Sequence, residues 1–169
     1  MAARTLWEKV CISAPAQFAE RQPQSKILNP KSQIPMPLRR FVSAAETENQ
    51  SLPGQINHWY FKDGLGDAEH LVFVRACIQT GSGHPFHEHP EMDEIIYVLR
   101  GEMEQWIEKE KRILGPGDSL YIPRGVIHGC YNESAAECEF LAILTPAKIT
   151  GPFSVDHSSE EPWRSLKPS

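Results

Sequence analysis

From residue 56 onward the chain alternates apolar and polar positions with a period of two, in short runs cut by turn residues. "INHWYF" is followed by the Gly/Asp turn "KDGLGD", and "HLVFVRACIQ" ends at Gly81-Ser82-Gly83. "EIIYVLRG", "EMEQWIE", "DSLYIP", "HGCYN" and "CEFLAILTP" continue the series, with "EKEKR" at 108–112 read as a solvated turn. Strands repeating about every 8–12 residues between Gly, Pro and Asp punctuation predict an all-β sandwich or barrel over 56–150. Residues 1–55 read differently, with prolines at 15, 23, 30, 35, 37 and 53 and much Gln, Ser and Ala. They predict an extended N-terminal arm with one or two edge strands, either packed on the barrel or on a neighbouring subunit or partly disordered. The polar tail, 151–169, is expected on the surface.

Composition narrows the function classes. The chain has 169 residues, 40% hydrophobic and 23% charged, enough for one domain with a real core. A net charge of -5 with no basic run argues against nucleic acid or an anionic membrane as partner. No stretch approaches the roughly 18–20 apolar residues of a membrane span. The opening "MAARTLWEKVCISAPAQF" lacks an apolar core of signal length, which predicts a cytoplasmic location. Cys11, Cys77, Cys130 and Cys138 form no CxxC pair and are expected as free thiols.

The chemistry concentrates in "GSGHPFHEHPEMDEIIYVLRG". On a strand, His87 and His89 present two imidazoles to one side. After a turn from Pro90, Glu94 opens the next strand, expected to run back beside the first. In "GDSLYIPRGVIHGCYN", Pro123-Arg124-Gly125 turns the chain and His128 starts a further strand. A second hairpin stacked on the first would complete a shell of three imidazoles and one carboxylate. That donor set suits a divalent first-row ion and leaves positions open for water, substrate or dioxygen.

The first segment reads Gly81, His87-x-His89, Glu94, Gly101; the second reads Gly117, Pro123-x-Gly125, His128, Asn132. These resemble the two signature motifs of the cupin superfamily. The 15 residues between them resemble the short spacing of small single-domain cupins. The resemblance implies a double-stranded β-helix, or jelly-roll barrel. It also implies metal ligands at His87, His89, Glu94 and His128, with Asn132 holding a turn, and a homodimer.

Two further residues are pocket candidates. Gln105 shares a strand face with Met103 and Ile107 and needs a hydrogen-bond partner if that face points inward. His84 lies three residues before His87, off the ligand face of a regular strand. Trp106 and Tyr97 are read as outward, at a subunit interface. Together these readings lead to a metal-dependent enzyme acting on a small organic molecule, holding one Fe, Mn, Ni, Cu, Co or Zn ion. The reading leans to a non-haem dioxygenase. The alternatives are a Lewis-acid isomerase, decarboxylase or lyase, and a cupin that binds a small molecule without converting it.

Overall fold

The computed structural model describes residues 41–66 and 68–167. The first 40 residues of the expected arm lie outside the described residues. Among the described residues, a short 3-10 turn at Ala44–Glu46 leads into eleven strands. They are β1 (Glu48–Leu52), β2 (Gln55–Phe61), β3 (Val72–Ile78), β4 (Ser82–Glu88), β5 (Asp93–Arg100) and β6 (Met103–Ile107). β7 (Glu110–Leu114), β8 (Ser119–Ile122), β9 (His128–Asn132), β10 (Cys138–Thr145) and β11 (Val155–Asp156) follow, before the short helix α1 (Trp163–Leu166).

The strands form two antiparallel sheets, ordered β1-β2-β3-β10-β5-β8 and β11-β4-β9-β6-β7. Connections cross repeatedly from one sheet to the other, as a double-stranded β-helix requires. Alternation decides which side chains lie between the sheets. Val72, Val74, Ala76 and Ile78 of β3 face inward, as do Cys138, Phe140, Ala142 and Leu144 of β10. Met103, Ile96, Val98 and Ile122 join the same core. Each large aliphatic buried here contributes about 1.5–3 kcal/mol.

Two turns close the frame. Gly101 adopts φ 77°, and a Cβ there would meet the Glu137 carbonyl oxygen at 2.5 Å, so only glycine fits between β5 and β6. Asn132 is fully buried and donates from Nδ2 to the carbonyls of Ile78 (2.9 Å) and Ala136 (2.8 Å). Its Oδ1 accepts from the Ser134 amide and hydroxyl.

Three sequence expectations are corrected. "EKEKR" is not wholly a turn: residues 110–114 form β7, hydrogen-bonded to β6. β7 is an edge strand with side chains exposed on both faces, so it carries charge instead of alternation. The strand after Pro90 does not run back beside the first, because β4 and β5 belong to opposite sheets. The polar tail is not wholly superficial. β11 pairs with β4, and Trp163 of α1 is only 8% exposed.

Tail packing also revises the reading of Trp106. It does face outward from β6, but it is covered by its own chain. Phe86, Trp106 and Trp163 cluster on the outer face of the five-stranded sheet, with Phe86–Trp163 ring centroids 5.2 Å apart. The outer face of the six-stranded sheet is different, since Ile95, Tyr97, Leu99 and Tyr121 remain exposed.

Candidate metal centre

His87 on β4 and His128 on β9 are direct cross-strand neighbours, with ring centroids 4.2 Å apart. His89 stands just beyond the end of β4, and Glu94 projects from β5 in the opposite sheet. The four residues read as ligands from sequence are thus brought together inside the barrel, each at most 7% exposed. His87, His89 and His128 bring one ring nitrogen each within 4.8 Å of one another, a cluster that could hold a metal ion.

Backbone carbonyls orient the rings. His87 Nδ1 lies 2.8 Å from the Pro85 carbonyl oxygen, His89 Nδ1 2.6 Å from that of Phe153, and His128 Nδ1 2.9 Å from that of Val126. Donation from each Nδ1–H leaves each Nε2 as a lone pair. His128 Nε2 then lies 3.0 Å from Glu94 Oε2, and His89 Nε2 3.5 Å from the same oxygen. His128 Nε2 and Glu94 Oε2 are both buried and both lack a hydrogen-bond partner. Two lone-pair atoms facing each other at that distance fit a cation between them.

The electrostatics favour a neutral donor at His87 but a protonated ring at His89. Burial, aided by the neighbouring imidazoles, pushes His87 well below the ordinary 6.5, which keeps it neutral and able to donate electrons. Burial alone would raise the Glu94 carboxyl, but the facing His128 and His89 imidazoles outweigh it and hold it far below the usual carboxylate range. Burial also lowers His89, yet Glu94 overrides that and raises it.

His84 corrects the regular-strand argument. The β4–β9 register shifts between His84 and His87, so His84 pairs with Cys130 and His87 with His128. Pro85 and Phe86 of β4 thereby oppose Gly129 alone, a bulge that turns His84 onto the same side as His87. Gly129 sits opposite, where a Cβ would come within 3.2 Å of the His84 carbonyl oxygen and the Phe86 amide. The His84 ring packs edge-on to His87 at 4.4 Å, and burial lowers its pKa to about 4. Gln105 is 3% exposed, and its Nε2 donates to the Trp106 carbonyl. It lines a separate hollow of about 260 Å3 with Ile107, Leu114 and Leu120.

A small void of about 50 Å3 adjoins the imidazoles, walled by Val74, Ala76, Phe140, Ala142 and Leu144. It meets an outer cavity of about 770 Å3; His84, His89, Asn57, Trp59 and Phe153 line both. The cavity residues Gln55, Asn57 and Trp59 were missed in the sequence. Their signal was present, because they alternate at i, i+2 and i+4 along "QINHWYF", a face with two amides where a core strand carries aliphatics. Phe153 had no such signal. It comes from the tail, and only the fold brings it to His89.

Residues 74–144 match a family model described as a cupin domain. Among curated proteins, YdbB of Bacillus subtilis (strain 168) is 41% identical over 56 residues, covering 32% of this chain and 49% of that one. The chain thus spans about half the length of that relative. Among solved structures, KdgF from Halomonas sp. superimposes with a TM-score of 0.57 at 26% identity, covering 64% of this chain and 95% of KdgF. An RmlC-like cupin from Shewanella frigidimarina NCIMB 400 gives 0.56 at 23% identity, covering 64% and 92%. The fold, the paired motifs and the family model agree: residues 74–144 are a cupin domain.

Proposed function

We propose that this chain is a metal-dependent cupin enzyme that binds one divalent transition ion through His87, His89, Glu94 and His128 and acts on a small organic molecule. The observation that carries the reading is the unpartnered pair His128 Nε2 and Glu94 Oε2, 3.0 Å apart in a buried site. Bound there, the ion would supply an electrophilic centre, and with a redox metal a place for dioxygen. The protein's own part is to hold three lone pairs inward through backbone carbonyls and to exclude water with apolar walls.

Within that reading we favour a non-haem dioxygenase. Besides His87, His89 and Glu94, the inner void has His84 as its one titratable group among the described residues. Reactions that need a protein acid and a protein base find few partners there. His84 is also the observation that favours the second reading, a Lewis-acid isomerase, decarboxylase or lyase, because a neutral imidazole beside the ion is placed to move a proton. A homodimer built on the exposed face of Ile95, Tyr97, Leu99 and Tyr121 belongs to the same proposal. So does a reducing, cytoplasmic setting, supported by free thiols at Cys77, Cys130 and Cys138.

Elemental analysis of protein purified without chelators tests the ion. An oxygen electrode with phenols, thiols and keto acids tests the chemistry. Turnover under strict anaerobiosis rejects the dioxygenase and leaves the Lewis-acid reading. A bound ion with ligand uptake and no product in either atmosphere leaves a binding protein.

A further inference from the structure

Three amides and one indole form a hydrogen-bonded chain along the cavity wall. Gln55, Asn57 and Trp59 alternate on β2 and share its inner face, and Gln50 of β1 is the cross-strand neighbour of Asn57. One end sets the direction of every bond. The indole Nε1 of Trp59 can only donate, and it donates to Gln50 Oε1 at 3.2 Å. Asn57 Nδ2 donates to the same oxygen at 3.3 Å, which turns Asn57 Oδ1 toward Gln55. Gln55 Nε2 donates to that Oδ1 at 2.7 Å. What remains is Gln55 Oε1, an acceptor with no partner on a residue only 4% exposed.

Gln55 lines the same 50 Å3 void as His87, His89 and Glu94. The void is far smaller than the outer cavity, so it takes a polar head group and not the body of a bound molecule. The body of a bound molecule belongs in the outer cavity of about 770 Å3, against Trp59 and Phe153.

We infer that Gln55 selects the substrate by accepting a hydrogen bond from its hydroxyl, next to an anionic oxygen that meets the ion. The substrate class is a compound with those two groups adjacent: a 2-hydroxy acid, a catechol or an enediol. The role of the anionic oxygen rests on the metal-dependent reading above. The demand for a donor rests on the amide chain alone. A methyl ether at that position would set one acceptor against another and leave the Gln55 oxygen without a donor.

The test titrates the protein, at its purified metal content, with mandelate against 2-methoxy-2-phenylacetate and with catechol against 2-methoxyphenol, by calorimetry. Each hydroxyl compound is expected to bind at least about tenfold more tightly than its ether. In Gln55→Met, with metal content unchanged, the gap is expected to fall below about threefold. Should that variant not fold, Trp59→Phe serves. Without the indole donor the amides are free to reverse, and the gap narrows because the ether gains. Equal affinities in the unaltered protein overturn the inference. So does an undiminished gap in metal-replete Gln55→Met, or failure of both hydroxyl compounds to bind. Protein lacking metal that still prefers the hydroxyl overturns the metal reading and upholds Gln55. Metal-replete protein without the preference does the reverse.

Discussion

His128 Nε2 and Glu94 Oε2 face each other at 3.0 Å from opposite sheets, each without a hydrogen-bond partner. Any cation held between them ties the two sheets together. His128→Ala is therefore expected to lower bound metal at least about tenfold, measured by elemental analysis after desalting. Chelation of the unaltered protein should lower its thermal midpoint, because an ion bound only by the folded state stabilises it by mass action. The midpoint of His128→Ala should be indifferent to chelator.

Asn132 satisfies the Ile78 and Ala136 carbonyls and the Ser134 amide from a fully buried position. Asn132→Ala leaves those groups without a partner inside the barrel. The expected loss is about 2–4 kcal/mol in urea unfolding, with the metal site retained at low temperature.

Trp163 covers Phe86 and Trp106 from α1. Trp163→Ala strips that cover and opens a cavity on the outer face of the five-stranded sheet. A loss of about 3 kcal/mol is expected, together with a red shift of Trp106 fluorescence as water reaches it.

Glu104 gives a pH dependence with a definite sign. Burial pushes its carboxyl up, but the Trp106 indole at 2.8 Å, with Lys167 and Lys111, outweighs this and holds it below the ordinary 4.5. A carboxyl depressed in the folded state contributes stability above its unfolded value and loses it as pH falls through the folded one. Stability measured from about pH 5 down to pH 3 should thus fall more steeply in the unaltered protein than in Glu104→Gln.

Ile95 and Tyr97 expose 43% and 42% of their surface on the outer face of the six-stranded sheet. If two copies meet there, Tyr97→Lys places a charge in the contact. Light scattering should then report a monomer where the unaltered protein reports a dimer. An unchanged mass would remove this face from the interface.

Much of this molecule was legible along the chain, for reasons particular elements make plain. β3 and β10 announce themselves because one face is packed and the other is not, so alternation is strict. β7 escaped because an edge strand exposed on both sides has no apolar face to display. His84 was misplaced because alternation assumes a regular strand, and the bulge opposite Gly129 interrupts it. Trp106 was correctly turned outward, but its covering comes from Trp163, 57 positions further along the chain.

By itself the sequence determined most of the strand pattern and the glycine turns, and it singled out the four residues proposed to hold the ion, since these follow from local periodicity and side-chain chemistry. Only the tertiary structure decided that Glu94 reaches His128 from the opposite sheet. The same holds for Phe153 orienting His89, and for Gln55 ending an amide chain with a free oxygen. Those relations are set by which sheet each strand enters and by hydrogen bonds between residues distant along the chain, and no local pattern encodes either.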